Sequence, residues 1–183
     1  MKLLSTLSTA LVFLTATACT QAPPVEDAKA IAAKAAEAAA KDIADIKALE
    51  DRFVAAFKAK DVNAIMAGYV PDQGLFVFDL TPPRQFVGAA AYRKDWEEIM
   101  SLFPGPVDFE LTDLDITATG GDLAWSHSIQ HVSGAMKGGK KMEFTARVTD
   151  GYKKVDGKWL VAHEHVSVPV DLLTGKSDLT SKP

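Results

Sequence analysis

Residues 141–169 constrain this chain more than any other stretch. They carry two runs of alternating character joined at Val155-Asp156-Gly157-Lys158. Asp-Gly between two such runs is the strongest short-range hairpin signal, because both central residues of the favoured turn need φ > 0. Side chains alternate between the faces of a strand. The second arm therefore sets Trp159, Val161, His163, His165 and Ser167 on one side, and Leu160, Ala162, Glu164, Val166 and Val168 on the other. Neither set is purely polar, so both faces call for cover, one from helices and the other from a partner or a ligand. The stretch reads as a long two-sided hairpin in the middle of a curved sheet.

The rest of the chain gives that sheet a domain to sit in. With 183 residues, 48% of them hydrophobic, 24% charged and a net charge of −4, it has the profile of one soluble domain with its own core. No basic stripe is present to neutralise phosphates, which excludes nucleic acid as a partner. The cluster Lys137, Lys140 and Lys141 reads as a solvated hairpin tip. A single cysteine rules out an intrachain disulfide.

That cysteine is informative by its place. Met1-Lys2 gives a positive start, residues 3–17 are apolar and small, and Ala16-Thr17-Ala18 precedes Cys19. The apolar run is too short to span a bilayer. The stretch resembles a bacterial lipoprotein signal, which implies cleavage before Cys19 and a lipid on it. An ordinary signal peptide cut at the same place is the alternative, and both mean export. The resemblance further implies a periplasm-facing, membrane-anchored protein of the cell envelope, sorted to the outer membrane because Thr20 rather than Asp follows Cys19. Residues 1–18 are then signal peptide, 19–41 a tether and Ala-rich spacer helix, 42–170 the domain, and 171–183 a flexible tail.

Along the domain, Ile43, Ile46, Leu49, Phe53 and Phe57 fall on one face of a helix over about 42–60. Asp61 is placed to cap a short helix over 62–66. Residues 74–80 (GLFVFDL) read as a strand, Thr81-Pro82-Pro83 turns the chain, and 84–87 return. Gly88 opens a third helix with Tyr92, Trp96, Ile99, Met100 and Phe103 on its apolar face, stopped by Pro104-Gly105-Pro106. Strands follow over 107–119 and 122–134, and in the first the alternation slips near Thr112-Asp113, which predicts a bulge. Three helices and then a run of strands make an α+β fold. The helices would cover the concave face of a strongly bent, cone-shaped antiparallel sheet and leave a conical pocket beneath them.

This order of elements resembles the SnoaL-like group of the nuclear transport factor 2-like superfamily over about residues 42–170. Asp156-Gly157-Lys158-Trp159, with His163, His165, Ser167 and Pro169, is similar to the last hairpin of the calcium/calmodulin-dependent protein kinase II association domain. Residues 54–61 (VAAFKAKD) resemble the first helix of ketosteroid isomerases. The resemblance implies a catalytic base at Asp79, and a carboxylate in an apolar pocket acquires a raised pKa and can shuttle a proton. The competing role for Asp79 is to cap the Thr81-Pro82-Pro83 turn. The same family uses a helix tyrosine and a protonated aspartate as oxyanion donors. Here Phe53 stands at the tyrosine position and cannot donate, and Asp150 lies near the aspartate position. Steroid isomerisation by that mechanism is therefore not expected.

The four histidines, His127, His131, His163 and His165, are expected on the two central strands. His163 and His165 share a face about 7 Å apart, yet no cysteine is left to complete a zinc site, and neither metal nor cofactor is expected. One of His127 or His163 could act as a general acid or base. Arg147 sits mid-strand, where it needs a carboxylate or an anionic ligand. Tyr69, Trp96, Trp125 and His165 are candidate pocket walls, although aromatic residues at such spacing are as readily core. Two functions follow. One is a pocket that binds, or transforms, a small apolar or carbonyl- or carboxylate-bearing molecule, with Asp79, His127, His163 and Arg147 as its polar groups. The other is a non-catalytic dimerisation or interaction module. Both include a homodimer through the outer face of the sheet.

Overall fold

The computed structural model describes residues 25–181; the signal-like segment and Cys19 lie outside the described residues. Helix α1 (Val25–Ala59) runs for 35 residues, about 52 Å at 1.5 Å per residue. Its Ala-rich first half is almost wholly exposed and owes its helicity to propensity. The second half buries Asp42, Ile46, Leu49, Glu50, Ala56 and Phe57. Ile43, expected on that stripe, is 37% exposed. Asp42 takes the inward place because it has partners there: Lys154 Nζ lies 2.8 Å from Asp42 Oδ1, and Trp159 Nε1 donates to the same oxygen at 3.1 Å. Burial alone would raise the Asp42 pKa, but these two donors reverse it to a lowered one. The helix is thereby pinned to the hairpin that organises the sheet.

Helix α2 (Val62–Met66) is capped as expected, Asp61 Oδ1 accepting from Ala64 N at 3.0 Å. Helix α3 (Ala89–Ser101) starts after Gly88, whose φ of 85° suits glycine. Lys60 Nζ donates to the carbonyls of Phe103 and Gly105, both at 2.9 Å. It thus satisfies acceptors just beyond the end of α3 and fixes that end to the α1–α2 corner.

The sheet contains β1 (Phe76–Phe78), β2 (Phe86–Val87), β3 (Val107–Ala118), β4 (Leu123–Ala135), β5 (Lys141–Val155) and β6 (Lys158–Ser167), in the order β2-β1-β6-β5-β4-β3. The long hairpin is central, and Asp156 and Gly157 have φ of 49° and 76°, as its turn requires. The four long strands are antiparallel, but β1 joins β6 in parallel, so the sheet is mixed rather than wholly antiparallel. Residues 170–181 fold back on themselves: Val170 bridges Ser177, and Thr145 N donates to the Leu179 carbonyl at 2.7 Å.

Two bulges set which side chains face the helices. In β3 the register shifts between Thr112 and Asp115, with Asp113 at φ 52°, where the alternation slips. A second bulge corrects the expected grouping in β6. Tyr152 pairs with Val161, the next residue Gly151 pairs with His163, and Ala162 has no rung of its own. The extra residue flips everything after it. Trp159 and Val161 therefore share the inner face with the buried Glu164 and with Val166, while His163, His165 and Ser167 point outward.

Candidate functional site

Beneath the helices, one cross-strand row of the sheet is polar. Ser126 pairs with Asp150 and Asp150 with Glu164, and all three are buried. Two phenols converge on Glu164: Tyr69 donates to Oε2 at 2.7 Å and Tyr92 to Oε1 at 2.5 Å. The Tyr92 hydroxyl also lies 3.3 Å from Asp79 Oδ2, and the backbone N–H of Leu80 donates to Asp79 Oδ1. Tyr152 donates to Glu50 Oε1 at 2.9 Å, and its oxygen lies 2.8 Å from the Ser126 hydroxyl. Asp79 from the end of β1, Glu164 from β6, Asp150 from β5 and Glu50 from α1 are so gathered into one cluster.

Taking these acids out of water raises each of their pKa values, because burial penalises the charged form. Glu164 rises to about 7 through burial, with Asp79 adding to it and the Tyr92 and Tyr69 hydroxyls opposing it. Glu50 also rises to about 7, burial outweighing its hydrogen bond from Tyr152. Asp150 is raised well above its ordinary value by burial and by facing Glu164 and Glu50. Asp79 is raised by burial against the pull of Leu80 N–H and Tyr92. Asp95 on α3 is pushed up to about 6 by burial, then by Asp79 and Glu98. Acids that titrate near neutrality can both give and take a proton.

Two larger hollows among the described residues are elsewhere. They are open grooves of about 710 Å³ between α1, α2 and the β5–β6 turn, and about 630 Å³ between α1 and β3. Neither contains the Asp79–Tyr92–Glu164 group, and an open trough does not exclude water. The interior of the cone holds that group in a smaller space. Its cavity of about 70 Å³ is walled by Phe53, Phe57, Trp96, Ile99, Phe103, Phe109, Val132, Met142, Phe144 and Val166, with Asp79, Tyr92, Gln130 and Glu164 as polar groups. Behind Phe53 a void of about 10 Å³, room for one water-sized body, is lined by Glu50, Tyr69, Gln130, Asp150 and Glu164. Trp96 Nε1 and Asp150 Oδ1 are buried with no hydrogen-bond partner.

Of the residues expected from sequence, Asp79, Trp96 and Tyr69 are at this site. Asp79 accepts from the adjacent Leu80 N–H through one oxygen and faces Tyr92 with the other. Tyr69 lines the rear void and not the main cavity. Arg147, His127, His165 and Trp125 are exposed on the opposite face of the sheet, so the expectation that they share a pocket with Asp79 does not hold. His163 is outward too, its Nδ1 2.8 Å from the Phe76 carbonyl. Phe53 does stand in the cavity wall and offers no hydrogen-bond donor there.

The residues missed are Glu164, Glu50 and the phenol of Tyr92. Glu164 was hidden by the bulge, for which Gly151 in mid-strand was the available sign. Glu50 lies four residues after Ile46 and three before Phe53, on the apolar stripe itself, where a carboxylate is anomalous. Among the described residues no cluster of three or more His, Cys, Asp or Glu side chains is arranged to hold a metal ion.

Residues 46–171 match the model of a SnoaL-like domain. An NTF2-like protein of unknown function from Pseudomonas putida superposes with a TM-score of 0.69 at 34% identity, over 76% of this chain and 95% of that one. A cystatin-like-fold protein of unknown function from Nostoc punctiforme gives 0.58 at 20%, over 71% and 92%. A ketosteroid isomerase-like protein from Erwinia carotovora gives 0.57 at 20%, over 68% and 93%. No curated protein sequence matches the chain significantly.

The acid cluster has a consequence for stability. Glu50 and Glu164 titrate at about 7 in the fold against an ordinary 4.5. Between those values the native state holds more protons than the unfolded chain, so stability is full at low pH and is lost as pH rises through about 7. Thermal melts should show the protein less stable at pH 8 than at pH 5.5 by about 2 kcal/mol for each acid, about 4 kcal/mol for the two, or roughly 8–16 °C. Glu50→Gln should flatten that slope. A melting temperature that climbs from pH 5.5 to 8 would mean that these acids are not held protonated.

Proposed function

The chain belongs to the SnoaL-like domain family, and on that footing we propose that its inner cavity binds a small, largely apolar molecule through one polar head. The observation that carries this reading is the convergence of Asp79, Tyr92 and Glu164 in a chamber otherwise walled by aromatic and aliphatic side chains. Such a chamber is the usual form of a small-molecule site. Its volume suits roughly three to five heavy atoms, since benzene needs about 150 Å³. A carboxylate ligand is not part of the proposal. Arg147 is on the other face of the sheet, and the acids of the chamber would repel an anion.

The indole N–H of Trp96, buried and without an acceptor, is a reporter for the chamber. Titration with acetone, tert-butanol and tert-butylammonium should give a saturable shift of that resonance with at least one of them. Asp79→Asn should weaken that binding about tenfold and leave the melting temperature equal or higher. If none of the three moves the Trp96 signal, the chamber is not a binding site. If Asp79→Asn lowers stability and spares binding, Asp79 is only a turn cap.

The interaction-module reading also has a specific support, on the outer face. Phe76, Phe78, His163 and His165 are in mutual ring contact there, Trp125 stacks near His127, and Phe78 and Trp125 are 37% and 47% exposed. A contiguous aromatic face of this kind calls for cover. We assign it to a second copy of the chain, which leaves the inner cavity free. Light scattering at micromolar concentration should give a dimer, and Trp125→Glu a monomer; a monomeric native protein refutes the assignment.

Export and lipid attachment at Cys19 complete the proposal. They rest on the resemblance of residues 1–19 to a lipoprotein signal, and they place the domain at the cell envelope, facing the periplasm. Cys19→Ser should move the protein from the membrane fraction to the soluble periplasmic one. Retention of Cys19→Ser in the membrane fraction would end the lipoprotein reading.

A further inference from the structure

We propose that the polar head taken by this cavity is a cation, a small alkylammonium group. The inference rests on the binding role just given to the chamber and narrows its ligand. The groups that face the chamber and the void behind it come from every surrounding element. They are Glu50 of α1, Tyr69 after α2, Asp79 after β1, Tyr92 of α3, Gln130 of β4, Asp150 of β5 and Glu164 of β6, with Asp95 of α3 acting on Asp79 from outside both spaces. None is basic, and no Lys, Arg or His among the described residues lines either space. Two lysines of the surrounding elements are engaged elsewhere, Lys154 with Asp42 and Lys60 with the carbonyls after α3.

A second observation is independent of that count. Asp150 is only 3% exposed, it lines the rear void, and its Oδ1 has no hydrogen-bond partner. With its retained proton Asp150 reaches Glu164, and the acceptor left over faces the void that adjoins the chamber along Phe53, Gln130 and Glu164. The phenols do not supply a neutral ligand either, because Tyr69 and Tyr92 already donate to Glu164.

The walls agree with a cation. Phe53, Trp96 and Phe109 form a mutually tilted group, with Phe53 5.9 Å from Trp96 and 5.6 Å from Phe109, and Tyr92 lies 5.6 Å from Trp96. Aromatic faces around a desolvated ammonium add quadrupole attraction to the pull of the acids. A bound ammonium would return to Glu164 and Asp79 part of the stabilisation of their charged forms that burial removes. The free N–H of Trp96 remains for an oxygen, so the amine can also carry a hydroxyl.

The test compares tert-butylammonium with tert-butanol, which share a shape of five heavy atoms and differ in charge, at the Trp96 indole resonance from pH 6 to 8.5. The ammonium should bind at least about tenfold more tightly at pH 8. Its affinity should fall about tenfold per pH unit below the titration of Glu164 near 7. Glu164→Gln, checked for folding by its melting curve, should remove this pH dependence and most of the preference for the ammonium over tert-butanol. Asp79→Asn should cut the preference too and serves if Glu164→Gln does not fold. Equal or tighter binding of tert-butanol, or ammonium binding that strengthens on acidification, overturns the cation and leaves the binding role standing. Silence of the Trp96 signal with both overturns the cation and the binding role together.

Discussion

The carboxyl of Glu164, held from two sides by Tyr69 and Tyr92, is the point on which the inner architecture depends. Its partners lie 95 and 72 residues earlier in the chain, so two hydrogen bonds join the central hairpin to the segment after α2 and to α3. Hydrogen bonds to a buried acid are stronger than those between neutral groups, and an unpaired phenol in the core is costly. The same bonds fix the angle at which α3 lies over the sheet, and with it the ceiling of the cavity, where Trp96 and Ile99 sit. Lys60 secures the far end of that ceiling, and Asp42 secures α1.

What surrounds Glu164 is an unusual electrostatic interior. Glu50, Asp79, Asp150 and Glu164 lie within one layer, and their self-consistency comes from retained protons and from hydroxyl donors, with no counter-ion among the described residues. The opposite face of the same sheet carries the imidazoles and Arg147. A single sheet thus separates an acid-lined interior from a basic and aromatic exterior. The two proposed activities, uptake of a small molecule and contact with a second copy, use different faces and do not compete.

Much of the fold was legible in the sequence because it depends on local chemistry. Asp156-Gly157 marked the hairpin, Asp61 the cap of α2, Pro104-Gly105-Pro106 the end of α3, and the slip near Thr112-Asp113 the bulge of β3. The order of elements then led to the family. The site was legible only at Asp79, Trp96 and Tyr69, whose strand-end or aromatic character shows without knowledge of facing. His163 and His165 were set beside Trp159 and Val161 on the assumption of unbroken alternation, and that assumption failed at Ala162; His127 and Arg147 lie on other strands, where no local signal told which way they face. Glu50 was passed over because an apolar stripe was read by its hydrophobic members. Ile43 was counted onto the stripe for the same reason, when the buried ion pair of Asp42 turns the helix one residue the other way.

The bulge at Ala162 also governs how this chain can be compared with its relatives. Beyond Val161, depth in the sheet is counted in hydrogen-bonded rungs, and the rung count and the residue count differ by one. A relative whose last strand is regular would carry, at the depth of Glu164, the residue that a gapless alignment sets against His163. Homology by position and homology by place thus part company within three residues of Trp159. Roles carried between members of the family along this strand hold only when a gap is opened opposite Ala162.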